Sequence, residues 1–366
     1  MSQVRNACAT FILVQHAVLV TVSTAFTIPI VPVAQAILRE RTCQLTDVSH
    51  PTCLAARARL HRRLSNDSSI SLQNGDEGND DTSPAHTELN LLTFDLDDTI
   101  FPIGPVVQDA NDAMVNMIHR LGYTSATNDE IIAASKQIRA ELREAGDAVT
   151  YTNLRKQSVR REIERMTGWH SERVLHDSVV DIIFDAWLSE RHASADRNLY
   201  PSTTHALESI RKQHPNAVIG AITNGRGNPL DMPSLVSYFD FCVSGEDDDV
   251  FPKRKPDKGI YEAALRRFFD LKEEPMPVDV TSSFNWIHVG DDLANDVGAS
   301  ASCGAKAIWF TADSEESSEL PSWSTATAQE MKKRAKLDEK ARGFVSAKIS
   351  ALDELPRAIS TILCTR

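Results

Sequence analysis

Four short stretches of this sequence hold residues able to do chemistry together. Asp95-Leu96-Asp97-Asp98-Thr99 follows the apolar run Leu91–Phe94, and Thr223-Asn224-Gly225 follows the run 218–222. Lys255-Pro256-Asp257 opens a helical pattern, and Gly290-Asp291-Asp292-Leu293-Ala294-Asn295-Asp296 follows the run 286–289. Open parallel sheets place their ligand sites just beyond strand ends, where most of these groups stand. If the loops converge, Asp95, Asp97, Asp98, Asp291, Asp292 and Asp296 bring as many as six carboxylates to one sheet edge. Carboxylates that close raise one another's pKa unless a cation compensates. Oxygen donors suit a hard divalent ion, and Mg²⁺ commonly shares its sphere with substrate phosphate. None of the four loops offers His or Cys, so zinc is a poor fit. Lys255 supplies a fixed positive charge for a phosphoryl group. A metal-bound carboxylate can act as a covalent nucleophile, and a second one two residues on can protonate the leaving oxygen and then activate water. Thr223 and backbone N–H groups at a helix start can hold phosphate oxygens. Together these parts suffice for metal-assisted phosphoryl transfer.

The elements that must position these loops read as α/β. Short apolar strands are expected at Leu91–Phe94, 218–222, 241–243, 286–289 and Lys306–Phe310, with amphipathic segments between the later ones. Residues 105–199 carry helical patterns and no convincing strand; Val106, Ala110, Met114, Met117 and Leu121 are spaced to line one helix face. A helical block of about a hundred residues, inserted after the first strand of an α/β domain, reads as a lid. Polar and charged residues from 313 to 343 read as a surface insertion or exposed helix.

DLDDT, ITNG, the Lys of KPD and GDDLAND, in this order and with a helical insert after the first, resemble the four motifs of the haloacid-dehalogenase (HAD) superfamily. The resemblance runs from about Leu91 to the C-terminus. It implies a Rossmann-like parallel sheet as core (91–102 and 201–366) and a helical cap over 103–200. It further implies Asp95 as nucleophile, Asp97 as acid/base, and Thr223, Asn224, Gly225 and Lys255 around the phosphate. Mg²⁺ would be held by Asp95, the Asp97 carbonyl and Asp291, with Asp296 orienting Lys255 and Asp292 behind the ligands. An acid at Asp97 favours phosphoryl over carbon–halogen chemistry in this superfamily. FDLDDTIFP, AITNGRGNP, the YFDF run and IHVGDDLANDVGAS resemble its branch of phosphatases acting on FMN and on 5-amino-6-(5-phosphoribitylamino)uracil, including plastid FMN hydrolases. The acidic loop 245–250 and the insert after Asp313 depart from that branch. A phosphatase or mutase for another sugar phosphate or nucleotide, and a non-catalytic binding protein on the same fold, are the alternatives. In the cap, Trp169, Trp187 and Tyr151 could stack on a flavin or uracil ring, although such aromatics more often serve as core.

Length and composition agree with this outline. The chain has 366 residues, 42% of them apolar, enough for a substantial core and about two domains. A net charge of −12 offers no basic field for nucleic acid. Six cysteines without CxxC spacing suggest neither a zinc site nor a disulfide framework. Residues 1–64 are different: seven Lys/Arg against two Asp/Glu give +5, leaving −17 for the rest. Arg5 precedes a short apolar stretch, Ser23 and Ala25 stand before Phe26, and an arginine-rich, acid-poor segment follows. A signal sequence joined to a transit-like segment implies a plastid, or alternatively the secretory pathway or another organelle; no membrane span is expected in the mature form. Residues 65–90, with six acids and no Lys or Arg, read as a solvated acidic linker.

Overall fold

A computed structural model describes residues 88–168, 175–277, 284–312, 324 and 326–365. The leader and nearly all of the linker lie outside the described residues, as does Trp169. Six strands form one sheet in the order β3-β2-β1-β4-β5-β6: β1 Leu91–Phe94, β2 Val218–Thr223, β3 Phe241–Ser244, β4 Trp286–Gly290, β5 Lys306–Phe310 and β6 Val345–Ile349. Every pairing is parallel. The architecture is therefore α/β and Rossmann-like. Strands β1, β2 and β4 are buried throughout, which is why they appear in the sequence as unbroken apolar runs and not as alternating patterns.

Chain order makes β1 the switch point of the sheet. From β1 the chain passes outward to β2 and β3, then returns to the other side of β1 as β4, followed by β5 and β6. Phe94 is in register with Ala221 on one side and Val289 on the other. Residues 95, 222–223 and 290–291 are thereby brought abreast where parallel sheets bind ligands. Strand β6 was not foreseen: its alternating exposure and the Lys348 within it hide an edge strand among polar neighbours.

Between β1 and β2 lie helices α1 Ile103–Arg120, α2 Asn128–Ala145, α3 Tyr151–Thr167 and α4 Asp177–Arg197, then α5 Thr203–Gln213 packed on the sheet. The first four build a core of their own from Ala110, Met114, Ile118, Ile131, Val159, Ile163, Ile183 and Phe184, with Trp187 inside it. Trp187 stacks on Phe184 and donates through Nε1 to Asn111 Oδ1 at 3.0 Å. Its ring is thus packing material for the block. Val106 and Ala195 root α1 and α4 in the main core. Helix α6 Lys258–Lys272 covers one face, α7 Ala299–Ala301 is a single turn, and α9 Leu355–Cys364 packs under β6. Helix α8 Ala328–Ala341 lies on the surface and buries only Ala341. Its start carries a reciprocal cap between Thr327 and Glu330.

An independent core in the helical block leads to a mutational expectation. Ile163→Ala, which empties a fully buried position there, should lower stability by about 2–5 kcal/mol, read by denaturant unfolding.

Candidate active site

The site is assembled around one ammonium group. Lys255 Nζ donates to Asp95 Oδ1 at 2.5 Å and to Asp296 Oδ1 at 2.8 Å, and all three side chains are buried. Asp95 is the first residue after β1 and its N–H is held by Val289 O at 2.9 Å, so the ladder itself fixes its direction. Lys255 sits two residues before the α6 N-cap, Asp257, whose carboxylate accepts from Gly259 N. Its backbone is clamped by Asn224: Lys255 N donates to Asn224 Oδ1 at 2.8 Å, and Asn224 Nδ2 donates to Lys255 O at 3.3 Å. The Asn224 side-chain amide holds the lysine backbone, which leaves its own backbone N–H as the group able to face a phosphate. Thr223, at the end of β2, is buried and accepts from Gly225 N at 3.3 Å.

Of the six carboxylates expected at one sheet edge, three draw into a tight cluster, while Asp97 and Asp98 act on it from alongside. Oxygens of Asp95, Asp291 and Asp296 all lie within 4.8 Å of one another. Asp98 has φ of 59° and accepts from Ile103 N at 2.9 Å, so it shapes the entry to α1. Asp292 caps a wide helical turn, Leu293–Gly298, through Ala294 N and Asn295 N, and pairs with Arg334. It supports the loop by geometry and does not face the cluster with its carboxylate. Asp97 turns toward the helical block, where Arg191 of α4 donates to its Oδ1 at 2.7 Å.

Asp296 is the hidden member. Gly290 makes room for it: a Cβ there would meet Asp296 Cβ and Cγ at 2.4 Å. Asp296 Oδ2 accepts from Asp292 N at 3.1 Å. Behind it stands His288, a residue that motif reasoning passed over although a histidine within an apolar strand was visible. Trp286 Nε1 donates to Thr93 Oγ1 at 2.8 Å, and Thr93 Oγ1 lies 2.8 Å from His288 Nδ1. With the hydroxyl proton directed to Nδ1, Nε2–H is left to face Asp296 Oδ1 at 3.5 Å. Burial holds the imidazole below its ordinary pKa, in line with a neutral ring. Tyr261 OH braces Asn295 O at 2.5 Å and Trp309 Nε1 braces Asp291 O at 2.7 Å.

Electrostatics decide what this arrangement lacks. Burial pushes Asp95 up to about 8 against the pull of Lys255, with Asp296 and Asp97 adding repulsion. Burial, then Asp296 and Asp95, hold Asp291 well above the carboxylate range. Burial would also raise Asp296, but Lys255 and His288 outweigh it and keep that group low. Lys255 itself is raised by the two carboxylates despite burial. The Asp291 carboxylate has no ion-pair partner among the described residues and accepts there only a long bond, 3.4 Å, from Thr99 Oγ1. Two desolvated carboxylates short of positive charge and an all-oxygen donor set fit a hard divalent cation.

The parallel sheet thus carries a buried Asp–Lys–Asp triad at its switch point. Residues 89–304, more than half of the chain, match the haloacid dehalogenase-like hydrolases, and the chain belongs to that family. Among curated proteins it is 25% identical over 238 residues to 5-amino-6-(5-phospho-D-ribitylamino)uracil phosphatase YigB of Escherichia coli strain K12, covering 61% of this chain and 83% of that one. A solved 2-haloacid dehalogenase of Pseudomonas syringae pv. Tomato DC3000 shares the fold, with TM-score 0.52, 22% identity, and coverage of 75% of this chain and 99% of that one.

The charge deficit has a pH signature. Raised carboxylate pKa values mean that the folded state binds protons that the unfolded state releases between about pH 4 and 8, so metal-free stability falls as pH rises through that window. Thermal melts in EDTA should show this fall, and added Mg²⁺ should lessen it by binding the folded state alone. A pH-independent gap between the two conditions would contradict the assignment.

Proposed function

We propose that this protein is a Mg²⁺-dependent phosphatase of small phosphomonoesters, working through an aspartyl-phosphate on Asp95. The observation that carries the reading is the pairing of Asp95 with Lys255 beside Asp291 at the switch point of the sheet. Mg²⁺ held by Asp95, Asp291 and the Asp97 carbonyl would neutralise the crowded carboxylates and polarise the phosphoryl oxygens. Asp95 Oδ attacks phosphorus while the bond to the leaving oxygen breaks, and Asp97 delivers a proton to that oxygen. Asp97 then takes a proton from water, whose oxygen attacks the same phosphorus, releasing inorganic phosphate and restoring Asp95. Lys255 offsets charge on Asp95 and the phosphoryl group; Asp296, backed by His288, holds the lysine in place. Thr223 Oγ1 and backbone N–H groups of the loop after β2, which does not open an α-helix as the sequence suggested, would offer donors to the phosphoryl oxygens.

The helical block 103–200 acts in this reading as a cap that sets substrate choice. Arg191, reaching from α4 to Asp97, ties its position to the acid/base group. The motif flanks support FMN and 5-amino-6-(5-phosphoribitylamino)uracil as substrates, and the E. coli relative, a phosphatase of the latter, supports the uracil compound alone. A plastid location rests on the leader's composition, and a fluorescent fusion of residues 1–90 tests it.

Phosphate release from a panel of phosphomonoesters should require Mg²⁺ and stop with EDTA. Asp95→Asn should lower turnover by at least about 10³-fold while the protein still melts cooperatively, because the isostere removes the nucleophile and keeps its shape. Undiminished release by that variant would reject the mechanism.

A further inference from the structure

A cavity of about 760 Å³ runs from Asp97 between the helical block and the loops after β2 and β3. Its charge is out of character for the chain. In a protein of net charge −12, the lining has seven arginines against three acidic residues, Asp97, Asp147 and Glu330. Arg191 is matched by Asp97, Arg143 by Glu330 and Arg334 by Asp292. Arg139, Arg155, Arg226 and Arg254 form no close ion pair among the described residues, although Glu330 and Glu246 attract Arg139 and Arg155 from further off and Arg254 Nη2 donates to Val149 O at 3.3 Å. Arg226 is exposed and water can serve it. The other three are partly withdrawn from water.

Their setting is built, not incidental. The Arg155 guanidinium lies 3.8 Å from the centroid of the Trp187 ring, and those of Arg254 and Arg139 lie 4.5 and 5.8 Å from that of Tyr151. Stacking of this kind fixes the plane of a guanidinium and leaves its in-plane donors free. Arg139 Nε, Arg254 Nη1 and Arg191 Nη1 are buried with no acceptor; Arg191 is itself 3% exposed. Burial, and then repulsion from Arg191, pull Arg155 down to about 10 against the attraction of Glu246. Buried donors without acceptors are rare in native proteins, and an uncompensated buried charge is strongly destabilising. The reacting phosphoryl group does not account for them, because Lys255, the divalent ion and the loop after β2 already answer for its charge.

We propose that this cavity takes a phosphomonoester whose leaving group carries a second anion, phosphate or carboxylate, held by Arg139, Arg155 and Arg254. The inference rests on the phosphatase reading but not on its flavin-pathway substrates: FMN and the ribitylaminouracil phosphate, whose leaving groups carry no second anion, rank below doubly charged esters in it. Bidentate donors of fixed plane match either oxyanion, whereas an uncharged ring offers them isolated carbonyl oxygens.

Matched pairs test it: fructose 1,6-bisphosphate against fructose 6-phosphate, and 3-phosphoglycerate against glycerol 3-phosphate, with FMN as the uncharged-ring arm. The full chain with Mg²⁺ should favour the doubly charged member of at least one pair by about tenfold or more in kcat/KM. Which pair shows it tells phosphate from carboxylate. In the double variant Arg139→Gln/Arg155→Gln that preference should shrink to about threefold or less. Near-equal kcat/KM within both pairs and for FMN in the unmodified protein overturns the proposal, whether or not the variant folds. A preference that survives in a folded double variant does so too. If no phosphomonoester is turned over, the phosphatase reading falls. Calorimetric titration of the same pairs into the Asp95→Asn protein then decides the cavity, tighter binding of the charged members supporting it and equal binding rejecting it.

Discussion

One ammonium group shared between two buried carboxylates is the constraint around which the rest of this molecule is arranged. A lysine withdrawn from water is tolerable only with its charge met, and two aspartates from different strand ends meet it here. That requirement reaches outward. Asp95 needs β1 in register with β4; Lys255 needs its backbone clamped by Asn224; Asp296 needs a Gly at 290 and the wide turn that follows. Each of these supports is a backbone or buried-core feature, so the charged centre has little freedom to relax.

The triad is also incomplete by design. It leaves Asp291 without an ion-pair partner among the described residues, and burial holds Asp95 above the carboxylate range, a donor set that fits a cation. A site with charge already balanced would bind a divalent ion weakly. Here the fold supplies the imbalance. The neutral imidazole of His288 fits this logic, since it fills space behind Asp296 and offers an N–H without adding a second competing positive charge.

Much of the core was legible because it follows from local chemistry. Strands buried on both faces leave continuous apolar runs, and the polar residues immediately after them marked the sheet edge. The four-helix block was legible from its periodicity and from the absence of strands. Edge strand β6 was not, because two of its five residues face water and only one is buried. Within the site, acidity alone could not rank the carboxylates. Asp98 and Asp292 stand beside residues of the cluster in sequence, yet both serve as caps for backbone N–H groups, and only three-dimensional placement separates a cap from a charge in the cluster. The arginines were equally silent. Arg139, Arg155 and Arg254 are far apart in sequence and each reads as an ordinary surface residue until the helices bring them to one cavity.

Helix α8 gives the architecture a further property. Glu330 reaches Arg143 on α2, while Arg334 holds Asp292 beside the Gly290 turn, so one surface helix grips both the inserted block and the sheet. Partly exposed pairs of this kind are worth at most about 1 kcal/mol each and weaken as salt screens them. The clasp across the cavity mouth is therefore held by forces that ionic strength can loosen, while the triad beneath it, shielded from solvent, stays indifferent to the same change.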